Sequence, residues 1–149
     1  MEPTAHFVPP MADNVAQAFN AIPDAARACL LPLRAMIFET AAENAAIGEL
    51  SETLKWGQPS YLTEQTKAGS TLRLGTHGES GEPAIFVICT TDLIDRFKTH
   101  YPDEWTYQGN RVLLPGWTPA DQMNMTQRDA LRHCMAMVLT HKLNKKAKP

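Results

Sequence analysis

The segment LKWGQPSYLT, residues 54–63, sets two large amphipathic rings, Trp56 and Tyr61, on either side of a bend at Gly57 and Pro59. A rigid bend between such rings makes one wall of a pocket. Lys55 and Gln58 add polar groups beside it. Arg73 on the next strand-like stretch, and Asn110 with Arg111 in a later hairpin, supply groups that could converge on the same place. Arginine suits carboxylate or phosphate because its planar fork makes bidentate contacts. The pattern points to a binding domain for a small anionic or aromatic ligand, or a partner peptide. Its expected contacts are Lys55, Trp56, Gln58, Tyr61, Arg73, Asn110 and Arg111. The competing reading is structural: the rings pack the sheet, and the arginines pair with Asp or Glu inside the domain.

Other chemistries find less support. His133, Met137 and His141 share one helical face, but the two histidines are two turns apart, about 12 Å at 1.5 Å per residue. They cannot share a metal with bonds of about 2.0–2.1 Å, so they read as surface or capping histidines. His6, His77 and His100 have no partner at ligand spacing. No metal site and no cofactor is expected. No GxSxG elbow occurs, and the apolar run before Cys89 argues for its burial, so no catalytic residue is assigned. Gly75, Gly78 and Gly81 sit between two strands and open no helix, unlike a phosphate loop. Glu39 and Glu43, four apart on a helix, could form a weak ridge for a hard cation but read first as a solvated face.

These residues need a scaffold, and the chain is long enough to supply one. Its 149 residues, 44% apolar and 20% charged, suit a single domain burying roughly 68–70% of its unfolded surface. With 14 Lys+Arg against 16 Asp+Glu the net charge is -2, without the basic excess of a non-specific nucleic-acid binder. The start MEPTAHFVPP lacks a signal peptide's basic and apolar regions, and no apolar run would span a membrane. Cys29, Cys89 and Cys134 are widely spaced, as for buried thiols in a reducing compartment. The expectation is a cytoplasmic protein with no nucleic-acid or membrane partner. Oligomeric state is not legible.

Residues 1–12 read as an N-terminal arm, 13–143 as one domain and 144–149 as a basic tail. Asp13–Ile22 has helical spacing, as does 24–46, where Leu30, Leu33, Ile37 and Ala41 form a core stripe. Pro32 either kinks this second helix or marks a new start near Leu31. Strands are expected at Thr53–Trp56, Ser60–Thr63, Ser70–Thr76 and Pro83–Thr90. AIFVIC reads as a central strand buried on both faces. A helix follows at Thr91–His100, a hairpin at Trp105–Leu114 turning at Gln108–Asn110, and a closing helix at Thr126–Leu143. The predicted class is α+β: five or six antiparallel strands, with helices from both chain ends on one face. Leu30, Leu33, Ile37, Phe86, Val87, Ile88, Leu131 and Val138 are expected to be buried together.

The bend KWGQPSYLT, the strand GSTLRL, the stretch CTTDLIDRFKTHYPD, the hairpin YQGNRVLL and the helix ALRHCMAMVLTHKL together resemble the YdhG-like family of small bacterial proteins. The resemblance covers about residues 15 to 143. It implies a single α+β domain with an antiparallel sheet and no established enzyme activity. One branch of the broader family is described as a frataxin-like cytoplasmic iron chaperone. That implies an alternative function, iron delivery through surface carboxylates such as Glu39 and Glu43. Acidic residues here are interspersed with Lys and Arg, and no iron ligands are assigned.

Overall fold

The computed structural model describes residues 8–143. His6, the first part of the expected arm and the basic tail 144–149 lie outside the described residues. Two helices come first, α1 (Asp13–Asn20) and α2 (Asp24–Ala42). Four strands follow: β1 (Ser51–Lys55), β2 (Gln58–Leu62), β3 (Leu72–His77) and β4 (Glu82–Phe86). Then come α3 (Leu93–His100), the hairpin β5 (Thr106–Gln108) and β6 (Val112–Leu114), a 3₁₀ turn at Ala120–Gln122, and α4 (Met125–Leu139). The strands form one antiparallel sheet in the order β1-β2-β3-β4-β6-β5, which is the α+β architecture expected.

Alternation along the strands divides the sheet into two faces. Leu72 and Leu74 of β3, Ile85 of β4 and Leu113 of β6 join the main core with Leu30, Leu33 and Ile37 of α2 and Leu131 and Val138 of α4. The opposite face carries a smaller, separate cluster of Ala84, Phe86, Val112 and Leu114. Register places Ser60, Arg73, Phe86 and Val112 side by side across four strands on that second face. β4 is thus buried on both sides, as its unbroken apolar run predicts. The expected core needs two corrections. Phe86 belongs to the second face because it alternates with Ile85. Ile88 lies beyond the end of β4 and is 38% exposed.

The second helix runs unbroken through Pro32, so no new helix starts at Leu31. Proline in a helix interior costs about 3 kcal/mol. Ten buried residues along α2, among them Leu30, Leu33, Met36 and Ile37, offset that cost by packing. Residues 8–12 are less free than an arm would be. Val8 and Met11 pack against the core, and the Pro9 carbonyl accepts a hydrogen bond from Arg34 Nη2 at 2.7 Å. α4 begins with a capping box: Gln127 N donates to Asn124 Oδ1, and Asn124 N to Gln127 Oε1. His141, expected on the surface, is buried where the chain leaves α4, with Nε2 3.0 Å from Asp92 Oδ1. His133 lies 2.6 Å, Nδ1 to Oη, from Tyr101. No helix among the described residues is long and apolar enough to cross a membrane.

Candidate functional site

The helix-free face of the sheet holds a cleft of about 700 Å³, within the usual range for small-molecule sites. One wall is the tip of the β1–β2 hairpin. Lys55 pairs with Gln58, leaving Trp56 and Gly57 as a two-residue loop, both with positive φ, 57° and 74°. Such loops demand left-handed backbone at both positions because their twist then matches the strands. Glycine adopts it without strain, whereas tryptophan pays about 1–3 kcal/mol. The Trp56 ring is nevertheless 89% exposed, so core packing does not hold it there.

The floor is built from β3 and β4. Arg73 and Phe86 are cross-strand partners, and the Arg73 guanidinium lies 5.7 Å from the Phe86 ring centre. Arg73 Nη1 also donates to Gln58 Oε1 at 3.3 Å. Gln58 lies flat across the sheet because Gly75 leaves room: a Cβ there would stand 2.6 Å from Gln58 Nε2 and 3.3 Å from a Phe86 ring carbon. The far wall combines Cys89, after β4, with Arg111, at the turn before β6. Two hydrogen bonds fix these segments together: Val87 N to the Arg111 carbonyl at 2.8 Å, and Asn110 Nδ2 to the Cys89 carbonyl at 2.8 Å.

Of the expected contact residues, Lys55, Trp56, Gln58, Arg73 and Arg111 line the cleft. Two do not. Asn110 is spent on the Cys89 carbonyl and acts as a loop clasp. Tyr61 is fully buried on the other face, because Ser60 takes the position opposite Arg73 and the next residue must point away. Its hydroxyl donates to Glu52 Oε2 at 2.8 Å, and its ring meets Phe38 edge-on. Cys89, expected to be buried, is exposed at the rim because β4 ends at Phe86; Cys29 and Cys134 are buried. Sequence reasoning missed Phe86, Ile88 and Thr71 as lining residues. Alternation alone pairs Thr71 with Arg73, but the placement of Phe86 needed the strand register.

The electrostatics are one-sided. Among the described residues, no carboxylate comes within 4.0 Å of Lys55, Arg73 or Arg111. Burial first, and then the nearby Arg111 charge, pull Arg73 below its ordinary pKa, although arginine remains charged at any physiological pH. Among the described residues that line the cleft there is no Asp, Glu or His. It is built to hold a negative group over an apolar floor. Elsewhere, Glu39 is 3.5 Å from Arg132 Nη2 and is not a free ligand. Among the described residues no three His, Cys, Asp or Glu side chains gather as a metal set.

Comparison with known proteins found no matching family model, curated protein or solved structure.

Proposed function

We propose that the protein is a binding domain for a small ligand that joins an anionic group, carboxylate or phosphate, to a planar apolar body. The observation that carries this reading is the pair Arg73 and Arg111, like charges at one cleft with no carboxylate partner among the described residues, Arg73 lying over the Phe86 ring. A bound anion would relieve their repulsion and gain charge-assisted hydrogen bonds, each worth about 1.5–3 kcal/mol. The planar part would lie between Phe86 and the exposed Trp56. The same observation disfavours the structural role for these arginines. Membership of the YdhG-like family, resting on the motifs quoted above, is part of this proposal and fits a domain without known chemistry. The iron-carrier alternative has less support, since one of its two named carboxylates, Glu39, is paired with Arg132.

Calorimetric titration with 2-naphthoate, alongside thermal melts, tests the reading. Binding should be present in the native chain and lost in Arg73→Ala/Arg111→Ala, with the melting temperature nearly unchanged. A ligand at 100 times its Kd adds about 2.7 kcal/mol of stability, so it should also raise the native melting temperature. A double variant that loses more than about 3 kcal/mol of stability, as when a buried ion pair breaks, would return the arginines to the scaffold.

A further inference from the structure

A second cavity, of about 220 Å³, adjoins the cleft, and Thr71 and Ile88 line both. That cavity is built where the chain after β2 meets the end of α4. Ser70 N donates to the Val138 carbonyl, Lys142 N to the Ala68 carbonyl, and Gly69 N to Thr63 Oγ1. These bonds bring two exposed lysines, Lys67 and Lys142, to one opening against a single carboxylate, Glu64. Among the described residues neither lysine has a carboxylate within 4.0 Å. Ser70 lines the same cavity and is 7% exposed, yet its hydroxyl makes no hydrogen bond among the described residues. That hydroxyl keeps access to solvent at the cavity, so it is free to donate to a ligand atom there.

We infer that the two cavities form one elongated site and that its ligand is a rod-shaped dianion. This rests on the anion-binding reading of the main cleft. One anionic group sits at Arg73 and Arg111, and the apolar body crosses Phe86 and Ile88. The second group, carboxylate or phosphate, reaches Lys67 and Lys142 and accepts the Ser70 proton in a hydrogen bond. Thr71 and Arg73 are two residues apart on extended chain, about 7 Å, so the junction lies one short step from the first group. A monoanion would fill only the arginine end.

The experiment titrates naphthalene-2,6-dicarboxylate and 2-naphthoate by calorimetry into the native chain, Lys67→Gln/Lys142→Gln, Ser70→Ala and Glu64→Gln. Two exposed lysines and one hydroxyl should make the dianion at least about fivefold tighter than the monoanion. The lysine double variant should abolish that advantage while leaving 2-naphthoate within about twofold of native. Ser70→Ala should reduce the advantage, and Glu64→Gln should increase it. Both lysines and Glu64 are exposed, so these variants should fold. Equal affinity of the two acids, or a dianion advantage that survives the lysine variant, overturns the second subsite and leaves the main cleft standing. Failure of both acids to bind overturns the main reading and the inference with it.

Discussion

Arg34 and Arg73 serve opposite faces of the same sheet, and their surroundings differ in every respect that sets the role of a charge. Arg34, on α2, is 5% exposed and paired with a carboxylate. Its Nε and Nη2 meet Glu52 Oε2 and Oε1 at 2.6 and 2.9 Å, Nη2 also reaches the Pro9 carbonyl, and its guanidinium lies 5.0 Å from the Phe38 ring centre. The Tyr61 hydroxyl adds its own hydrogen bond to Glu52. Burial and the adjoining carboxylate both push the Tyr61 pKa well above its ordinary value, so the phenol remains a donor. Arg73 has one neutral partner, Gln58, and a like charge for a neighbour. A buried charge held by a bidentate carboxylate holds elements together. A half-buried charge left without an anion is available for a ligand.

The largest way to break this comparison is Glu52→Ala. It leaves Arg34 buried without a counter-charge and should cost about 3–5 kcal/mol in chemical denaturation, with anion affinity unchanged in the fraction that folds. A loss below about 1 kcal/mol would erase the difference between the two arginines. Next is Arg73→Ala/Arg111→Ala, which should weaken 2-naphthoate binding by at least about tenfold and move stability by less than about 1 kcal/mol. Smaller still is Trp56→Asn. Asparagine tolerates left-handed backbone before Gly57, so stability should rise by about 0.5–1 kcal/mol while affinity for the aromatic acid falls. A variant that is both more stable and equally good at binding would mean that the strained Trp56 serves no ligand.

The smallest effect concerns a third arrangement, exposed and paired. Asp92 receives Arg96 Nε at 3.0 Å and lies 3.0 Å from His141 Nε2. Partial burial works against its ionisation, but the hydrogen bonds from His141 and Arg96 prevail and hold its pKa at about 2. That is below an unfolded aspartate, about 3.9. Its contribution to stability is therefore complete above about pH 4 and is lost as pH falls through about 2. Urea unfolding of the native chain and Asp92→Asn should differ most near neutral pH, and the difference should shrink below pH 4. Because Asp92 is half exposed, the gap should be small. A gap that widens on acidification would reverse the assignment.

The features legible in advance were those encoded locally. A bend at Gly57 follows from turn chemistry, and the helical stripe Leu30, Leu33 and Ile37 from its period, but the expected bend at Pro59 falls inside β2 and Trp56, expected to end a strand, is the first loop residue. The two-sided burial of β4 follows from an apolar run with no polar alternation. Tyr61 was misplaced because a one-residue difference in phase moves a strand side chain to the opposite face, and only pairing with β3 sets that phase. Cys89 was misplaced because the apolar run outlasts the strand, which ends at Phe86 where ladder pairing with β6 stops. Arg34 escaped notice because its partner Glu52 is 18 positions away, beyond any helical spacing.

By itself the sequence determined that this chain makes a mixed α+β domain, since hydrophobic period and turn residues are properties of neighbouring positions. It also determined which residue types were present to hold an anion. Which arginine became scaffold and which was left facing solvent was decided by the tertiary structure alone. Strand register brings Arg73 beside Phe86, the Asn110 clasp brings Arg111 beside Cys89, and α2 carries Arg34 onto Glu52. An ion pair depends on distances within about 4 Å, and those distances exist only after the chain has folded.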